Sequence, residues 1–175
     1  MIRAFFLLAV LAAMPAWAQS RGVLTWPNGI RYEGEMVNGV PSGRGVITWP
    51  NGDRYEGSVV NGLPSGQGTM VQANGDRFEG QYANGQRNGP GVLVVAAGAK
   101  YVGTWANDVL EGQVVLTYPN ARRYEGAFAN GKPHGVGTYV NEKGDTYQGN
   151  WVNGCFRQPN RRVALETTMK DCGFE

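Results

Sequence analysis

Histidine is almost absent from this 175-residue chain, and the scarcity closes several routes to chemistry. One histidine, His134, cannot give a zinc ion two imidazoles, and a Ser-His-Asp triad would depend on it alone. Charge of one sign is lacking too. Lys and Arg total 16 against 14 Asp and Glu, a formal net charge of +2, with no basic stripe of the kind nucleic acid requires. There is no G-x-x-x-x-G-K-[ST] loop, no set of kinase motifs and no calcium-loop spacing. No helical periodicity appears before residue 155. Cysteine is limited to Cys155 and Cys172.

Long apolar runs are missing except at the start. Met1-Ile2-Arg3 is followed by an apolar run from Ala4 to Met14, then Ala16-Trp17-Ala18 and polar Gln19-Ser20. The run is shorter than the ~20 residues that span a bilayer. With small residues two apart behind it, it reads as a signal peptide over 1–18, cleaved after Ala18. The expected destination is the periplasm or the exterior, as a secreted protein, with one charge, Arg3, removed. In that oxidising setting Cys155 and Cys172 are expected to form a disulfide.

Glycine is the residue in excess, at 27 of 175, about twice the usual ~7%. Eight Tyr, six Phe and five Trp argue against disorder. The glycines belong to a repeat. Tyr32-Glu33-Gly34 returns as Tyr55-Glu56-Gly57, Phe78-Glu79-Gly80, Tyr101-Val102-Gly103, Tyr124-Glu125-Gly126 and Tyr147-Gln148-Gly149, always 23 residues on. Asn-Gly follows each aromatic by six residues, from Asn38-Gly39 to Asn153-Gly154, with Asn107-Asp108 as the variant. Paired glycines such as Gly43 and Gly45 follow by eleven and thirteen, and the fourth unit keeps Gly112 but has Val114.

Asn-Gly between apolar runs is a hairpin signal, because both residues tolerate positive φ. Each unit therefore reads as two strands, the first over about Arg31 to Val37 and the second over about Val46 to Trp49. Alternation puts Tyr32, Gly34 and Met36 on one face. The equivalents stack as Tyr55 with Val59, Phe78 with Tyr82, Tyr101 with Trp105, Tyr124 with Phe128 and Tyr147 with Trp151. In the second strand Leu24, Ile47, Met70, Leu93, Leu116 and Tyr139 form an apolar column. These columns are the expected core, with each glycine leaving room for a neighbouring ring. The other face carries Arg31 and Glu33, Arg54 and Glu56, Arg77 and Glu79, Lys100 with Val102, and Arg123 and Glu125, expected to pair across strands in solvent.

The pattern predicts twelve strands between Gly22 and Val152 in an all-β, elongated, meandering antiparallel sheet. Domain limits follow: a leader over 1–18, the array over 19–154, and a C-terminal cap over 155–175. Val163, Leu165 and Met169 suggest a short helix from Arg161 to Lys170 as that cap.

Six in-register copies of Tyr-Glu-Gly, Asn-Gly and Gly-x-Gly at a 23-residue step resemble the MORN repeat (membrane occupation and recognition nexus), from Gly22 to Gly154. His134-Gly135 is similar to the His-Gly of many such repeats. Val102, Asp108, Val114 and Ala121 depart from the pattern around the fourth unit. The resemblance implies an accessory or scaffold module, with partner docking, dimerisation or acidic phospholipid binding as its uses, and no chemistry of its own.

No residue set reads as catalytic, cofactor-binding or metal-ligating. Glu33, Glu56, Glu79 and Glu125 each have an Arg two residues before them and read as a structural ladder rather than as glycosidase carboxylates. His134 reads as a loop residue. The expectation is a non-catalytic, exported scaffold or protein-binding module of the cell envelope, with an unknown protein or a second copy as partner. An anionic membrane surface or an envelope glycan is the alternative. Trp26, Trp49, Arg122 and Arg123 are the candidate surface residues.

Overall fold

The computed structural model describes residues 19–174. The expected leader, 1–18, lies outside the described residues. Every regular element among them is a strand. The order is β1 (Gln19–Thr25), β2 (Arg31–Val37), β3 (Val40–Thr48), β4 (Arg54–Val60), β5 (Leu63–Val71), β6 (Arg77–Ala83) and β7 (Gln86–Val94). It continues through β8 (Lys100–Ala106), β9 (Val109–Thr117), β10 (Arg123–Ala129), β11 (Lys132–Val140), β12 (Thr146–Val152), β13 (Cys155–Gln158) and β14 (Arg161–Ala164). All fourteen lie in one antiparallel sheet in chain order. The first twelve are the pairs read from the repeat.

Turn chemistry sets the alternation. Asn38, Asn61, Asn84, Asn130 and Asn153 all take φ near 50°, and the glycine after each is also positive, as tight hairpins require. The turns are stitched to one another. Gly62 N–H donates to Pro41 O at 2.9 Å, and Gly85, Asp108, Gly131 and Gly154 repeat the bond one unit on. At the other ends of the strands, Asp53 and Asp76 carboxylates accept from the N–H of Ala73 and Ala96 in the next loop. The second strand of each unit starts earlier than expected, at Val40 rather than Val46, because the paired glycines lie inside it. A bulge between Gly34 and Met36 absorbs the extra residue.

The core is the aromatic face. Tyr32, Tyr55, Tyr124, Ile47 and Leu116 are fully or almost fully buried although the sheet is a single layer. The rings cover one another. Tyr55 and Tyr82 lie 5.2 Å apart, Phe78 and Trp105 4.9 Å, and Tyr124 and Trp151 5.2 Å, each pair two strands apart and edge to face. The sheet also rolls over this face. A methyl group placed on Gly62, in the β4–β5 turn, would stand 3.5 Å from Trp26 in the β1–β2 loop, which belongs to the opposite ends of the strands. Three strands also separate the β9–β10 loop, with Tyr118, from the β12–β13 turn, beside which the tail residue Glu166 bonds Tyr118. The roll has a seam of loops against turns and is not closed by strand pairing.

The C-terminal cap is not a helix. Arg161–Ala164 forms β14 and pairs with β13, setting Val163 opposite Phe156 and Ala164 opposite Cys155. Val163 and Leu165 are two residues apart, the spacing of a strand, and Leu165 is buried with its N–H on Gly154 O. Glu166 then takes φ 57°, which ends any regular run. Turns follow to Phe174, and Cys155–Cys172 is a disulfide with its Cα atoms 5.6 Å apart.

Candidate functional site

Each repeat spends its signature residues on structure. The Tyr32 ring lies along its own strand over Gly34, and its hydroxyl donates to Glu35 O at 2.6 Å. Tyr55 and Tyr124 do the same toward Ser58 O and Ala127 O. A Cβ on Gly57 would fall 2.5 Å from Gln67 O and from Gly68 Cα and 2.6 Å from the Tyr55 hydroxyl. The ring that needs the glycine is therefore the one two residues earlier, not a neighbouring repeat's. Gly34, Gly80 and Gly126 have the same surroundings, with Phe78 over Gly80.

The fourth unit breaks the rule. Val114, 1% exposed, takes the place of the second glycine, and its Cγ2 with Leu110 fills the space above Gly103. The Tyr101 ring is therefore excluded from its slot. Its hydroxyl donates instead to Glu166 at 3.0 Å, and Tyr118 donates to the other oxygen of the same carboxylate at 2.6 Å. Burial first, and the Glu166 carboxylate next, hold both phenols far above the ordinary tyrosine range. In the sixth unit Phe156 approaches Gly149, and Tyr147 packs against Tyr139 and Phe156.

His134 lies in β11, not in a loop, 3.2 Å from Asn153 Oδ1. The same position in other units serves the next Asn turn: Ser42 and Glu111 accept from the N–H of Asn61 and Asn130, nineteen residues on. In the third unit Asn88 instead donates to Asn107 Oδ1. Sequence reading missed the role because the residue type at this position varies from unit to unit.

The candidate surface residues are placed as follows. Trp26 and Trp49 are partly buried against the core. Arg122 stacks 4.3 Å over Tyr118 and bonds Asn120, and Arg123 pairs with Glu125 at 2.5 Å. The exposed ladder pairs along each strand rather than across strands, with Arg31–Glu33 at 2.8 Å and Arg54–Glu56 and Arg77–Glu79 at 2.7 Å. On that face one row crosses successive strands, and in it Val92, Val102 and Val115 stand side by side between Glu79 and Glu125. The three valines line a shallow open trough. Val102 stands where four of the other units have glutamate and the sixth has Gln148, and it is 39% exposed. Among the described residues no group of three or more His, Cys, Asp and Glu could hold a metal ion.

The MORN repeat model matches residues 19–31, 32–54, 55–77, 78–98, 101–120, 124–146 and 147–154, well over half of the chain. The chain belongs to the MORN-repeat family. The match opens with β1, so the MORN array begins on the second strand of a unit and includes the irregular fourth copy. Among curated proteins none matches this MORN chain. Among solved structures it is similar to the SAS-4 (dCPAP) TCP domain of Drosophila melanogaster, in complex with a proline-rich motif of Ana2 (dSTIL). The TM-score is 0.47 at 14% identity, over 91% of this chain and 99% of that one.

Proposed function

We propose that this MORN array is a non-catalytic scaffold of the cell envelope that docks a protein on its exposed face at the fourth repeat. One observation carries the reading: the charge ladder gives way there to the adjoining valines Val92, Val102 and Val115, in a trough rimmed by Glu79 and Glu125. An exposed apolar strip with a charged rim suits a protein surface. A sheet face with fixed ion pairs on either side holds that strip in place. The candidate cations offer less to an anionic membrane, since Arg122 and Arg123 are engaged with Tyr118, Asn120 and Glu125. Export follows from the leader, with Gln19, the first residue of β1, as the mature terminus.

Affinity capture from the source organism's envelope extract tests the docking reading. Wild-type protein is expected to retain a partner, and Val102→Glu, which restores the ladder, is expected to lose it, whereas Thr69→Glu on the same row retains it. Equal capture by wild type and Val102→Glu would refute the site. Mass spectrometry of the exported protein is expected to find Gln19 first; a chain still carrying Met1 in the cytosol would refute export.

A further inference from the structure

The two edges of the sheet are unequal. β14 is four residues long, carries Arg161 and Arg162, and is followed by a tail that the Cys155–Cys172 bridge folds back. Short length and charge are how natural sheets blunt an edge. β1 is seven residues long, carries one charge, Arg21, has no proline, and pairs with β2 without a bulge. Among the described residues its outer side is unpaired in the sheet order.

The register of the sheet says what fits there. From β1 to β8 every strand junction sets glycine against glycine, starting with Gly22 opposite Gly34 and ending with Gly91 opposite Gly103. The rule resumes from β10 to β12. In most of the row a Cβ would meet the facing backbone or an aromatic ring; at Gly22 it would meet the Met36 sulfur at 2.6 Å, and at Gly103 the Leu110 and Val114 side chains. A second copy related by a two-fold axis through Gly22 meets the same rule. Its β1 lies antiparallel, Gly22 faces Gly22 of the other copy, and both sheets keep their aromatic faces on the same side. Arg21 then stands opposite Val23 of the other copy, and Ser20 opposite Leu24, so no like charges face each other. Val23 is 56% exposed in the single chain, on the solvent face.

We propose that β1 is a homodimerisation edge, joined to β1 of a second copy in the Gly22–Gly22 register to make one continuous sheet. This deepens the scaffold reading by naming one partner, and it uses an edge separate from the Val102 trough.

Sedimentation equilibrium of the protein from an exporting host, together with charge variants, tests it. Wild type is expected at twice the chain mass at micromolar concentration. Val23→Lys sets a lysine against Arg21 twice by symmetry and is expected to raise the dimer Kd about tenfold, whereas Val23→Glu binds at least as tightly as wild type. A variant with both Arg21→Cys and Val23→Cys is expected to give a covalent dimer on mild oxidation, and the single variants to stay monomeric on a non-reducing gel. A monomeric wild type, equal shifts with Lys and Glu, or cross-linking by the single variants as efficient as by the double would each overturn the proposal. A monomer that still captures a partner through Val102 would remove the second copy and leave the docking reading standing.

Discussion

Tyr118 donates a 2.6 Å hydrogen bond to Glu166, forty-eight residues further along the chain. With the Tyr101 bond to the same carboxylate, it ties the tail across the seam of the roll to the fourth repeat. Removing the carboxylate by Glu166→Ala is expected to cost about 1–3 kcal/mol, since hydrogen bonds to charged groups are worth about that. The melting temperature should fall by several degrees. Val114→Gly reopens the slot for the Tyr101 ring, so Glu166→Ala should cost less in that background. A double-mutant cycle in thermal melts checks both; strict additivity would mean that Val114 and the tail are uncoupled.

The glycines should be unequal in their tolerance. Gly57→Val drives a side chain into Gly68 and the Tyr55 hydroxyl and is expected to lose 3 kcal/mol or about that. Gly112 has φ 73° but nothing within 4 Å of a Cβ, so Gly112→Ala should cost only about 1 kcal/mol of backbone strain. Denaturant midpoints of the two variants give the comparison, and equal losses would contradict the packing described.

Alkali should unfold the protein through its buried phenols. Burial pushes Tyr55 and Tyr124 up to about 12, from 10.0. An acid whose folded pKa is raised contributes stability that is complete below its unfolded pKa and is lost as pH rises through the folded value. Stability set by these tyrosines is therefore flat below about pH 10 and falls between 10 and about 12. Tyrosinate absorbance followed beside circular dichroism reads it. Full tyrosine ionisation at pH 10 with the fold intact would count against the buried column.

The Cys155–Cys172 bridge closes a 17-residue separation, and Cys172→Ser is expected to lose about 3 kcal/mol. The loss should concentrate in the cap, so hydrogen exchange should rise over β13, β14 and the tail while β3 to β7 keep their protection. Uniform deprotection would mean that the array unfolds as one unit with its cap.

Much of this architecture was legible because its causes are local and repeat. Asn38-Gly39 and its copies specify hairpins through positive φ, and the Tyr32, Gly34 and Met36 alternation identifies the buried face. The helix expected over Arg161 to Lys170 failed because Val163 and Leu165 follow a strand's period, set by pairing with Phe156 and by Leu165 on Gly154. Val114 was legible as a departure, but its consequence was not. The displaced Tyr101 ring finds Glu166 only through the roll, which brings residues 65 apart together and leaves no periodic trace. The arginine–glutamate ladder was recognised while its geometry was not, since pairing along a strand and across strands uses the same residues.

Chain order and sheet order coincide from β1 to β14, and this shapes how the molecule bears load. Tension between its ends peels one hydrogen-bonded ladder after another, rather than shearing many strands at once. Peeling starts at β1, because the covalent bridge holds the far end. A single-molecule force trace should therefore descend as a staircase with two steps to each 23-residue repeat, and a last release that appears only when the disulfide is reduced. One abrupt rupture of the whole array would show that the seam, and not the ladders, carries the force.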